Sequence, residues 1–129
     1  MATQTTKNKV TKLTKNAKIL KVIVSAIQEK KGENILSLDL RNIDEAVADF
    51  FIICEASSTT QVKAIGDFIE EKVKEELNEA AFRSEGRSSL NWVLVDFVNV
   101  VVHIMLPEAR QRYRLEELWC DAPEQVFKN

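Results

Sequence analysis

Between Trp92 and Met105 the hydrophobic pattern selects a β-hairpin. Two apolar, β-branched segments flank a short Val98-Asn99 connection, as antiparallel strands joined by a tight turn require. Side chains alternate faces along a strand. One face therefore collects Val93, Val95, Phe97, Val100, Val102 and Ile104, all apolar. The other collects Trp92, Leu94, Asp96, Val101, His103 and Met105, a mixed set. A two-residue turn pairs Leu94 with His103 and Trp92 with Met105. The apolar face calls for a roof of helices. The mixed face has two readings: a half-wet docking surface, or a second buried face under further helices.

The rest of the chain supplies the helices. From Ala17 to Lys31, Ile19, Leu20, Val22, Ile23, Ala26 and Ile27 share one helical face, and Gly32 is placed to end that helix. Asn34 to Leu40 alternates as a strand near a sheet edge, with Leu36, Leu38 and Leu40 pointing one way. The near-continuous run Ala48 to Cys54 reads as a strand buried on both faces. Ser58 to Gln61 fits a capping box, and Val62, Ile65, Ile69, Val73 and Leu77 follow at helical spacing, which predicts a helix over Thr59 to Asn78. Ala81 to Glu85 is a further strand candidate. Pro107 suits the first turn of a helix whose last turns are anchored by Leu115, Leu118 and Trp119. The expected fold is a single α/β (α+β) domain over residues 17–122, a five-stranded mixed sheet with flanking helices. Residues 1–16 read as a disordered basic arm and 123–129 as a C-terminal tail.

Charge sharpens this picture. The net charge of −2 is unevenly spread: residues 1–28 hold six lysines, while the remainder carries twelve basic and twenty acidic groups. An acidic body with a basic arm suits a partner presenting both signs. The two cysteines, Cys54 and Cys120, give no disulfide framework, and a reducing cytoplasm fits best. No apolar stretch approaches the ~20 residues of a membrane span. The N-terminal residues lack the apolar segment of a signal peptide and the arginines of a mitochondrial transit peptide.

Candidate chemistry is sparse. Glu55-Ala56-Ser57-Ser58 joins a strand to a capped helix, a place where anions bind, so Ser57 and Ser58 are candidates for an anion site. The loop has no glycine, and capping alone accounts for Ser58. Nucleotidyltransferases pair a turn of this sort with two metal-binding acids one residue apart. Asp96 is followed by Phe97 and Val98, so the second acid is missing. His103 is the only histidine, and a triad or multi-histidine metal site cannot be built on it alone. A strand histidine bonded to a backbone or carboxylate group is the simpler account. Arg110, Arg112 and Arg114 spread over more than one helical face and make no nucleic-acid stripe. The expectation is a non-enzyme without catalytic residues, cofactor or metal.

Several segments together carry a family resemblance. Asp49-Phe50-Phe51-Ile52-Ile53, Ser57-Ser58, Gln61-Val62, Glu85-Gly86, Trp92 to Asp96, Val102-His103 and Arg112-Tyr113-Arg114-Leu115-Glu116-Glu117-Leu118-Trp119 follow one order and spacing. In this the chain resembles the ribosomal silencing factors, the Iojap-like proteins, over roughly residues 17 to 122. It departs from them at Ala56, where a glycine usually precedes the serines, and at Thr60, where a basic residue is common. Val98-Asn99 also replaces a Gly-Asp turn. The Val98 exchange implies a turn without positive φ at that residue, or one whose load falls on Asn99.

The resemblance implies an α/β fold of nucleotidyltransferase-like topology without that activity. It implies a factor that binds the intersubunit face of the large ribosomal subunit, through its protein numbered fourteen, and blocks joining of the small subunit when nutrients are scarce. The Trp92 strand and the hairpin tip at Phe97 are the implied docking surface, and the mixed face adds Leu94, Asp96, His103 and Met105. The acidic body suits a basic ribosomal protein, and the N-terminal lysines suit phosphate contacts with ribosomal RNA. An exposed apolar face is open to homodimerisation in the free protein. Two other classes remain: a nucleotidyltransferase-like enzyme acting on a nucleotide or RNA, and an RNA-binding module.

Overall fold

The structure is a computed structural model and describes residues 18–128. The basic arm expected over 1–16 lies outside the described residues. Helix α1 covers 18–29, followed by β1 (Glu33–Asp39), β2 (Phe50–Glu55), α2 (Thr59–Leu77), β3 (Arg83–Glu85), β4 (Trp92–Asp96) and β5 (Val100–Met105). Two short helices, α3 (Pro107–Tyr113) and α4 (Leu115–Leu118), lead to β6 (Glu124–Phe127).

The six strands form one mixed sheet in the order β3-β4-β5-β2-β1-β6. β2 and β5 run parallel at its centre, and every other pairing is antiparallel. The hairpin register is as expected, with Leu94 opposite His103 and Trp92 opposite Met105. The sixth strand was not expected. Residues read as a C-terminal tail pair with β1 from Ile35 to Leu38, so β1 lies one place in from the edge. Three of the four β6 residues are exposed, which left too little apolar pattern to mark a strand.

Both faces of the sheet are covered, the apolar face of the hairpin and the mixed one alike. On the first face α1 and α2 bury Phe50, Ile52, Val93, Val95, Val100, Val102 and Ile104. On the second, Leu36, Leu38, Phe51, Ile53, Val101 and Met105 lie beneath the 40–48 loop and the α3–α4 segment, through Ala48, Ala109, Leu115 and Trp119. Each fully buried aliphatic side chain contributes ~1.5–3 kcal/mol of transfer free energy. The second layer is thin, because α3 and α4 span only seven and four residues. Its rim leaves aromatic surface uncovered.

Local geometry corrects two expectations about turns. Helix α1 does end at Gly32, yet the left-handed residue is Lys31, at φ 65°. Gly32 serves close approach instead: a Cβ there would lie 2.4 Å from Ile27 Cγ2. In the hairpin, Val98 does take a positive φ, of 75°, so neither form of the expected relief holds. The Asn99 N–H donates to the Phe97 carbonyl at 3.0 Å, closing a three-residue turn around Val98. A β-branched side chain is strained in that conformation.

Candidate functional site

The site grows from the order of side chains on the second face of β4 and β5. Trp92 opens β4 at the margin of the second core layer and is half-buried. Its indole Nε1–H donates to His103 Nδ1 at 3.0 Å. Its ring meets Tyr113 of α3, with centroids 4.8 Å apart and planes at 44°. Inward, His103 and Phe51 meet in a T-shaped pair with centroids 4.7 Å apart, and Phe51 and Trp119 in another at 5.8 Å. Tyr113, Trp92, His103, Phe51 and Trp119 thus form one row, buried at His103 and Phe51 and half-buried again at Trp119, with geometries aromatic pairs favour.

Tyr113 is 49 % exposed and Leu118 71 % exposed, large fractions for an aromatic and a leucine. Beside Trp92 runs a cleft of about 480 Å³ bounded by Asn91, Leu106, Ala109, Arg112 and Tyr113. The α3–α4 segment that presents Tyr113 is pinned to the sheet by Arg110. Arg110 Nε donates to Glu116 Oε1 at 2.6 Å and Nη1 to the Asn34 carbonyl at 2.6 Å, with Glu55 Oε1 at 3.5 Å. Between the two helices Arg114 is left-handed, at φ 46°, and turns the chain.

The six residues expected at a docking surface divide four ways. Trp92 and Leu94 are half-buried and reach the surface. His103 and Met105, at 4 % and 0 % exposed, lie in the layer beneath, because α3, α4 and the 40–48 loop cover them. Phe97 is a correction: at 7 % exposed it belongs to the core under α1 and α2, on the opposite face from Trp92. Its side chain folds inward although its backbone flanks the exposed turn.

Asp96 braces that turn. Its Oδ1 accepts from the Val98 N–H at 2.7 Å and its Oδ2 from Arg83 Nε at 3.1 Å. Asp96 lies opposite Val101 and His103 opposite Leu94, so the two share no direct pairing. His103 bonds an indole rather than the backbone or carboxylate group expected. Burial pulls its pKa down to about 4, so the ring is neutral at pH 7.

The serines act as caps. Ser58 Oγ accepts from the Gln61 N–H at 3.2 Å, and Gln61 Oε1 accepts from the Ser57 N–H at 2.7 Å. Gln61 Nε2 also donates to the Lys30 and Lys31 carbonyls, tying the end of α1 to the start of α2. These bonds engage the Ser57 and Gln61 amides, two of the donors at this helix start. Cys54 is fully buried, and burial pushes its thiol up to about 12, which makes it an inert core residue. No three His, Cys, Asp or Glu side chains among the described residues are grouped so as to hold a metal ion. No described helix is long and apolar enough to cross a membrane.

Sequence reasoning did not single out Tyr113 as a candidate. Its signal was present in the Arg112–Trp119 segment, but a single helical wheel cannot place it, since the chain reverses at Arg114.

Comparison with known proteins agrees with this architecture. A solved X-ray structure of a Chromobacterium violaceum protein superposes with a TM-score of 0.76 at 36% identity, covering 81% of this chain and 85% of that one. A ribosomal silencing factor of Halalkalibacterium halodurans is 40% identical over 108 residues, 84% of this chain and 91% of that protein. A mouse protein named for mitochondrial assembly of the ribosomal large subunit is 28% identical over 100 residues, 43% of its own length. The model of the family described as "ribosomal silencing factor during starvation" matches residues 13–129, and this chain belongs to that family.

Proposed function

We propose that this protein silences ribosomes by binding the intersubunit face of the large subunit, through its protein numbered fourteen, and so obstructs joining of the small subunit. The observation that carries the reading is the Trp92–Tyr113 pair: two aromatic rings in contact at the margin of a thin second layer, with Tyr113 half exposed. Aromatic side chains set in a rigid frame are the usual anchors of protein interfaces. Leu94 flanks the pair on β4, and His103 and Met105 support it from below.

Three further features support the reading. The mouse relative is named for assembly of the ribosomal large subunit. The acidic balance beyond residue 28 complements a basic ribosomal protein. The lysines of the N-terminal segment suit contacts with ribosomal RNA phosphates. The reading is of a non-enzymatic factor acting in the cytoplasm on a nucleotidyltransferase-like scaffold. In it Asp96 serves the turn through Arg83 and Val98 rather than a metal.

The test is co-sedimentation of the protein with purified large subunits, followed by a subunit-joining assay. Retention on large subunits with a dose-dependent fall in joined ribosomes is the expected result. Retention with normal joining would sink the steric mechanism, and absence of retention would sink the docking reading. In the free protein the same face is open to a second copy, and sedimentation against concentration reads that state.

A further inference from the structure

The buried row beneath Trp92 contains a polar group whose bonding is one-sided. His103 is 4 % exposed, and its Nδ1 accepts the Trp92 indole N–H. To accept there, a neutral imidazole must carry its hydrogen on Nε2. Nε2 is buried and meets no hydrogen-bond partner among the described residues. An unpartnered buried donor is unfavourable, whereas an apolar side chain of similar size would fill the same space without that cost. Among the described residues, the hydrogen bond the imidazole gains in exchange is the one to Trp92.

We propose that His103 is a positioning residue for docking: its Nδ1 fixes the rotation of the Trp92 indole so that the ring meets Tyr113 and faces a partner. The inference rests on the reading of Trp92 as a docking residue. The reasoning is geometric. Packing constrains a half-buried indole less than an enclosed one, and a hydrogen bond at Nε1 narrows its rotation about the Cβ–Cγ bond further. His103 is itself held by its T-shaped contact with Phe51, which Trp119 contacts in turn. The imidazole is therefore a rigid acceptor on a rigid strand. Preorganised anchors bind more tightly because less freedom is lost on association.

The chain has one histidine, so its imidazole nitrogen resonances are unambiguous. Nitrogen-15 NMR of the full-length protein at pH 7 should show the neutral form with hydrogen on Nε2, and a Trp92 indole proton slow to exchange. Hydrogen on Nδ1, or an indole proton exchanging as fast as a free one, would overturn the proposal. The second arm measures binding to purified large subunits. His103→Leu, which keeps bulk but lacks the acceptor, should lose about tenfold in affinity while remaining folded. His103→Asn, with an acceptor near the Nδ1 position, should recover most of it.

Equal binding by wild type and a folded His103→Leu, with Trp92→Ala impaired, overturns the positioning role and leaves the docking reading intact. Normal binding by Trp92→Ala overturns both. Should His103→Leu fail to fold, the tautomer and the His103→Asn affinity decide: the Nε2–H form with near-normal binding supports the proposal, and a tenfold loss by a folded His103→Asn overturns it.

Discussion

The backbone N–H of Val98 lies 2.7 Å from Oδ1 of Asp96, and this bond holds the hairpin in a conformation that valine disfavours. Positive φ at a β-branched residue carries a strain of ~1–3 kcal/mol. Glycine at position 98 removes the strain but loses more chain entropy on folding, by ~0.5–1 kcal/mol. Val98→Gly should therefore raise stability by about 0.5–2 kcal/mol. Asp96→Ala, which deletes the brace and leaves Arg83 with Glu85 alone, should lower it by ~1–3 kcal/mol. Urea unfolding of both variants checks the pair. A Val98→Gly variant less stable than wild type would mean that the turn is not strained.

That turn also shows how far a sequence can be read. The strands flanking it were legible, because two short apolar, β-branched runs on either side of a two-residue connection admit few other structures. Face membership followed, and so did the register. Exposure did not follow, because it depends on α3 and α4, whose path is set by the left-handed Arg114 and by the Arg110 contacts to Glu55, Glu116 and Asn34. The contacts to Glu55 and Asn34 join positions distant in sequence, and no periodicity announces them. Phe97 shows the same limit. Its face was read correctly from alternation, but its nearness to the turn suggested exposure, and α1 with α2 bury it.

Deleting residues 124–129 should destabilise the protein. β6 pairs with β1 from Ile35 to Leu38, and Phe127 packs at the margin of the first core layer. Removal would leave β1 as an open edge with unpaired backbone groups and uncover Ile35. A loss of ~2–4 kcal/mol is expected from the apolar area and hydrogen bonds together. A melting temperature within a degree or two of the full chain would show that β6 contributes nothing to the fold.

Acid should weaken the fold through His103. Its pKa falls from 6.5 in the unfolded chain to about 4 when folded, because burial disfavours the charged ring. Between those values the unfolded state binds the proton and the folded state does not, so stability rises with pH. The contribution is fully present above pH 6.5, falls by about 1.4 kcal/mol per pH unit below it, and is lost by pH 4. The whole span amounts to roughly 3 kcal/mol. Carboxylates titrate in the lower part of this window, so the measurement is the difference in unfolding free energy between wild type and His103→Leu. That difference should shift by most of the span between pH 7 and pH 4. A constant difference would show that the imidazole is solvated or already charged in the folded protein.

The final prediction separates the docking face from the core beneath α1 and α2. Tyr113 is half exposed and contacts Trp92, whereas Val95 is wholly buried against the first layer. Tyr113→Ala should cost ~2 kcal/mol of large-subunit binding, roughly thirtyfold, as truncated aromatic anchors commonly do. Its stability should change by less than ~1 kcal/mol, since little area is lost from the interior. Trp92→Ala should lose at least as much affinity but also some stability, because half its ring and its bond to His103 are inside. Val95→Ala should do the reverse, destabilising by ~1–3 kcal/mol while the folded fraction binds nearly as wild type. Urea unfolding and co-sedimentation with large subunits read all three variants. If Val95→Ala lost binding beyond its unfolded fraction while Tyr113→Ala kept it, the partner would have to meet the protein on its helical side.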